Sequence, residues 1–117
     1  ENVGMEMTVF GTLAYRRLIV SGVNWYEAMG DCEIILDDTR ELEFVVSDME
    51  NTGKVRYSMP LPGLPDRPAK ATRLHIHLEF TAADECRIDV TDMGFGDLYP
   101  SSNLTWHETM KSRGAEE

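Results

Sequence analysis

Leu74-His75-Ile76-His77-Leu78-Glu79-Phe80-Thr81-Ala82-Ala83-Asp84-Glu85-Cys86-Arg87-Ile88-Asp89-Val90-Thr91-Asp92 is the stretch whose reading decides the fold. Leu74, Ile76, Leu78 and Phe80 alternate with His75, His77 and Glu79, and Cys86, Ile88 and Val90 alternate with Arg87, Asp89 and Thr91. Successive side chains of a strand point to opposite faces, so each half carries one apolar and one polar face. A tight turn through Ala82-Ala83-Asp84 sets Glu79 opposite Arg87 and His77 opposite Asp89, two charge-complementary cross-strand pairs. The pattern predicts an antiparallel hairpin with one face on a core and the other in water.

Upstream the same period continues. Leu42, Phe44 and Val46 share one face, and Asp37-Asp38-Thr39-Arg40 is a polar connection suited to a hairpin with the strand Cys32-Glu33-Ile34-Ile35-Leu36. After the turn Asn51-Thr52-Gly53, Val55, Tyr57, Met59 and Leu61 alternate with Arg56 and Ser58. Residues 8–20 are apolar on both faces and read as two strands with a bend around Tyr15-Arg16-Arg17. Pro60, Pro62, Pro65 and Pro68 make residues 59–68 an extended crossover, because each removes a ladder donor and biases the preceding residue away from helix. A last strand is expected over residues 104–110, with Leu104 and Trp106 inward and Thr105 and His107 outward. No segment reads as a long helix. The expectation is an all-β, two-layer antiparallel β-sandwich of about eight strands over residues 8–110, flanked by a flexible remnant at 1–7 and a disordered polar tail at 111–117.

Composition narrows the function. The chain has 117 residues and a net charge of −10, from 11 Lys+Arg against 21 Asp+Glu. One domain is the natural organisation. Nucleic acid is a poor partner, because counterion-release binding needs a basic face. The longest aliphatic runs are three residues, such as Leu18-Ile19-Val20, against roughly 18 to 20 needed to span a bilayer. The opening Glu1-Asn2-Val3-Gly4 has neither a signal-peptide pattern nor an initiator Met, so the chain reads as a piece of a longer one in the cytoplasm. In that compartment Cys32 and Cys86 are reduced thiols and the sequon Asn103-Leu104-Thr105 is silent.

Few residues suggest chemistry. His75, His77 and Glu79 on one strand face have a geometry that a transition metal could use, with Asp89 as the obvious further ligand. Adjacent same-face residues lie about 7 Å apart, however, so the simpler reading is a solvated, charge-paired face on which Asp89 favours protonated His77 and makes it a mild pH sensor. Gly94-Phe95-Gly96 lacks the third glycine and the Lys-Ser/Thr of a phosphate loop and reads as a loop with a hydrophobic plug. No nucleophile elbow or reactive-cysteine context occurs. The expectation is no enzyme, no metal and no cofactor.

Residues 74–96 resemble the substrate-binding β-sandwich of the seventy-kilodalton heat-shock (DnaK-type) chaperones. The family's strand-turn-strand pattern, I-E-V-T-F-D-I-D-x-x-G-I-L-x-V-x-A-x-D followed by K-x-T-G, is met without a gap by Leu74, Ile76, Leu78, Phe80, Cys86, Ile88, Val90 and Asp92, then Gly96. Leu61-Pro62-Gly63-Leu64-Pro65 looks like the family's L-x-G-I-P, and Leu42, Phe44 and Val46 look like its V-T-I-x-V strand. The similarity covers roughly residues 33–110. The family's turn glycine is Asp84 here, and the loop over residues 93–103 is longer. The whole segment looks closer to bacterial actin-fold ATPases that carry such a sandwich than to a housekeeping chaperone.

The resemblance implies a peptide- or client-binding module. The positions matching Leu42 and Phe44 line the family's peptide pocket, with Ile34 or Leu36 contributing from the preceding strand. The partners implied are an extended apolar peptide or client protein and the ATPase domain of the same parent chain. The residues themselves leave another reading open: all four are core between two sheets, and the domain is a structural or interaction sandwich whose groove is filled by side chains such as Phe10, Tyr15 or Trp25. An apolar slot distinguishes the two.

Overall fold

The computed structural model describes residues 3–12, 15–22, 29–48, 54–82 and 85–111. Among them are eight strands and no helix: β1 (Val3–Phe10), β2 (Arg16–Gly22), β3 (Met29–Ile35), β4 (Glu41–Asp48), β5 (Lys54–Pro60), β6 (Arg73–Ala82), β7 (Glu85–Gly94) and β8 (Thr105–Lys111). They form two four-stranded sheets, ordered β2-β1-β4-β5 and β3-β6-β7-β8, with every neighbouring pair antiparallel. No helix of the described residues is long and apolar enough to cross a membrane.

Period-two alternation becomes a two-layer core. From the first sheet Met7, Val9, Leu42, Phe44, Val46 and Met59 are buried, and from the second Ile34, Leu74, Ile76, Leu78, Phe80, Cys86, Ile88, Val90 and Met110. Tyr57, Cys32 and Trp106 pack on its margin. Trp106 also closes one side, its indole N–H donating to the Pro62 carbonyl at 2.9 Å. Sheets that each bury one face in this way form an all-β sandwich.

The β6–β7 hairpin has the expected register, with His77 opposite Asp89 and Glu79 opposite Arg87. Residues 8–20 do divide into two strands, and β4 and β5 form the expected hairpin. Two boundaries differ. The sandwich begins at Val3 rather than Thr8, because Val3 to Val9 pair with β2 while Met5 to Phe10 pair with β4, making β1 an inner strand instead of a flexible remnant. Lys111 closes β8 opposite Glu85 rather than opening the tail. The turns at residues 51–53 and 83–84, Trp25 and the expected tail beyond Lys111 lie outside the described residues.

The connection between β3 and β4 is a correction. Four polar residues suited a hairpin, yet β3 and β4 belong to different sheets. The chain changes partner within one peptide: Leu36 N–H donates to the Thr72 carbonyl at 2.9 Å, and Asp37 N–H to the Gly11 carbonyl at 3.0 Å. Gly11 sits there at φ +101°, and a Cβ would stand 3.0 Å from the Glu41 carbonyl oxygen, so the close approach favours glycine. The crossover expected over residues 59–68 begins only after Pro60, the last residue of β5, and it is not extended throughout. Turns at residues 62–63 and 69–70 bend it, with Leu64 N–H donating to the Leu61 carbonyl at 3.3 Å and Ala71 N–H to the Pro68 carbonyl at 3.1 Å, while Leu61 and Leu64 anchor it in the core.

Candidate functional site

The four residues matched to a peptide pocket are all in the inter-sheet core. Leu42 and Phe44 are fully buried, and Ile34 and Leu36 nearly so. They pack with Met7, Val9 and Met59 in one continuous cluster. Of the expected fillers, Phe10 and Tyr15 do not occupy this space but lie exposed, their ring centroids 6.0 Å apart on the surface. Contact between a peptide and these four side chains would require the sheets to part.

A different arrangement stands at one end of the sandwich. Asp92, at the end of the alternating hairpin, has a side chain 0% exposed and pairs with Arg67 of the crossover, whose side chain is 4% exposed. The pair is a fork: Arg67 Nη1 donates to Asp92 Oδ1 and Nη2 to Oδ2, each at 2.9 Å. Arg67 also donates to Thr72 Oγ1 at 3.2 Å and to the Pro100 carbonyl at 3.0 Å. Asp92 accepts three further bonds, from Gly94 N–H at 3.0 Å, Ser102 N–H at 3.1 Å and Ser102 Oγ at 2.6 Å. Burial alone would raise this carboxyl; Arg67, Ser102 and the two amides outweigh it and hold it well below the usual carboxylate range.

These bonds tie both feet of the loop over residues 93–103 to one carboxylate. Phe95 N–H closes its head on the Tyr99 carbonyl at 2.6 Å. Gly94 turns at φ +70°, where a Cβ would fall 2.4 Å from the Tyr99 carbonyl oxygen. The closed loop shows apolar side chains to solvent: Leu98 is 84% exposed, with Met93 and Phe95 also exposed. Phe95 is therefore not the buried plug expected from the sequence. Its ring lies under the Arg73 guanidinium, 5.7 Å from the centroid. Phe95, Leu98 and Tyr99 with Pro68, Ala71 and Arg73 line an open hollow of about 520 Å³. On the other side of Pro68 a smaller hollow of about 220 Å³ is bordered by Asp37, Asp38 and Arg40. There Arg40 spans to the Leu64 carbonyl and to Asp66 at 3.2 Å.

The histidine face is paired differently from the expected scheme. Although His77 is opposite Asp89 in register, its Nδ1 lies 2.8 Å from Asp31 Oδ1 and its Nε2 3.0 Å from Glu79. His75 Nε2 reaches the same Asp31 oxygen at 2.8 Å. Asp89 is engaged by Arg87 at 2.9 Å and by His107. Hydrogen bonds donated to Glu79 and then to Asp31 hold His77 above its ordinary value of 6.5. Those from His77 and His75 hold Asp31 below 3.8. Among the described residues no group of three His, Cys, Asp or Glu is arranged to hold a metal ion. Cys86 is a core thiol, and burial pushes it up to about 12.

A family model described as a domain of unknown function (DUF8552) matches residues 1–112. The chain belongs to this family. The match takes in all eight strands, the Arg67–Asp92 pair that forms the neck of the 93–103 loop, and the histidine face. No curated protein and no solved structure matches the chain.

Sequence reasoning missed Arg67, Ser102 and Asp31. Arg67 stood in a crossover read for its prolines, and Asp31 one residue before the strand read from Cys32. One local signal pointed to the neck: Asp92 occupies an apolar position in the alternation of β7, and a carboxylate on a core face demands a partner.

Proposed function

We propose that this chain is a protein-interaction β-sandwich that binds an extended apolar segment of a partner protein at its Phe95–Leu98–Tyr99 end, with no catalytic step. One observation carries the reading. A loop held by a buried ion pair presents Leu98 at 84% exposure beside an open apolar hollow. Ordered loops on a rigid scaffold are where binding surfaces concentrate, and apolar side chains grouped at the surface, as Phe95 and Leu98 are around the hollow, mark an interaction site where a lone exposed one would not. Apolar side chains of an extended segment match the hollow, while Arg73 on its wall offers donors to a backbone carbonyl.

The second reading is the client-binding module of an actin-fold ATPase, with the peptide held at Ile34, Leu36, Leu42 and Phe44. Its support is the β6–β7 hairpin with its apolar face from Leu74 to Val90 inward, as in the resemblance. Burial of all four pocket positions weighs against it. Fluorescence anisotropy with labelled extended apolar heptapeptides separates the two. The end-surface reading expects saturable micromolar binding that Leu98→Asp weakens at least about tenfold in a folded domain, equivalent to about 1.4 kcal/mol. Binding indifferent to Leu98→Asp and Phe95→Ser would favour the inter-sheet pocket. No binding by the folded domain would refute both.

A further inference from the structure

All three histidines of the chain, His75, His77 and His107, lie on the outer face of the second sheet, and two of them meet its edge strand. β3 is held in that sheet through β6 alone. Its outer face carries Asp31 and Glu33, whose ladder partners on β6 are His77 and His75. Asp31 accepts from both rings on one oxygen. Glu33 lies 3.9 Å from His75 Nδ1 and 4.0 Å from Arg73 Nη1. The cross-strand clasp is thus two carboxylates against two histidines and one arginine. Among the described residues, the other charged or titratable groups facing His77 are Glu79 and His75 on its own strand, and Asp89 and Arg87 on β7, which are engaged with each other and with His107 on β8. Among the described residues no Lys or Arg bonds Asp31, whose partners on β6 are His75 and His77, so its attraction to β6 depends on protons.

We propose that β3 is a proton-controlled edge strand, clasped to β6 when His77, both of whose ring nitrogens meet carboxylates, is protonated and loosened when it is neutral. Loosening would uncover the backbone donors and acceptors of β6 along Met29–Ile35, the feature that lets a sheet accept a new strand. The sign follows from linkage. Because His77 is held above its unfolded value of 6.5, its contribution is complete below that pH and is lost as pH rises through the folded value. Because Asp31 is held below 3.8, its contribution is lost as pH falls through the folded value. The clasp is tightest between the two.

Hydrogen exchange by mass spectrometry on the whole chain tests this, comparing β3 amides with those of β5, an edge strand without histidine. After division by intrinsic rates, the β3 to β5 protection ratio is expected to fall about three- to fivefold from pH 5.5 to pH 8, the size of one or two cross-strand charge pairs. His77→Gln should abolish most of that dependence while leaving β5 protection intact. If that variant also loses β5 protection, Asp31→Asn takes its place with the same expectation. A ratio that does not change with pH in the natural chain, or a dependence that survives in the folded variant, would overturn the proposal.

Discussion

Replacing Arg67 by Met probes the neck on which the exposed loop depends. The substitution keeps an apolar stem of similar length but removes the guanidinium from a carboxylate that is 0% exposed. Asp92 then retains Gly94 N–H, Ser102 N–H and Ser102 Oγ but no counter-charge. Breaking a buried pair by removing one partner typically costs about 3–5 kcal/mol, and the lost bonds to Thr72 and Pro100 fall within that loss. A domain of this size has a total stability of about 6–17 kcal/mol, so the change is large and measurable. Urea unfolding followed by circular dichroism should show a lower midpoint in Arg67→Met. Arg67→Lys should fall between it and the natural chain, because charge is kept and the fork is lost. The natural Asp92 contribution, from a carboxyl held below 3.8, is complete above that value and fades on acidification through its folded value. The variant, with a weaker depression, should lose less stability over the same acid range. A loss below about 1 kcal/mol for Arg67→Met, the worth of an exposed pair, would refute the desolvated neck.

Two further outcomes follow from the same geometry. Gly94→Ala should destabilise by more than about 3 kcal/mol, because to the left-handed cost of about 1–2 kcal/mol it adds a Cβ 2.4–2.6 Å from the backbone of Tyr99, Pro100 and Ser101; Gly96→Ala, at φ +72° with nothing within 4 Å, should lose only the conformational part. In a Cys32→Ser background, Cys86, whose thiol is pushed up to about 12 in the core, should stay unreacted with an aromatic disulfide reagent at pH 8 and be modified only on denaturation.

Strand faces were legible in the sequence because alternation is local: Leu74 to Phe80 and Cys86 to Val90 turn inward whatever they meet, and the short turn between them sets Glu79 opposite Arg87, although Glu79 bonds His77 and Arg87 bonds Asp89. The same locality limited the reading elsewhere. Four polar residues after Leu36 serve a hairpin or a passage between sheets equally well, and only the bonds to Thr72 and Gly11 choose the passage. An apolar strand position looks alike whether it lines a slot or fills a core, so Leu42 and Phe44 could not be assigned from pattern alone. Family membership, over residues 1–112, adds no activity to these residues.

The amino-acid order by itself determined an all-β chain of short alternating strands with one wet and one apolar face, since period two and proline exclusion act within a few residues. Tertiary structure alone decided that the inter-sheet positions close into core, that Arg67 meets Asp92 across 25 residues and that His75 meets Asp31 across 44. Those pairings depend on how two sheets stack, a choice settled by the burial of both apolar faces together rather than by any one segment.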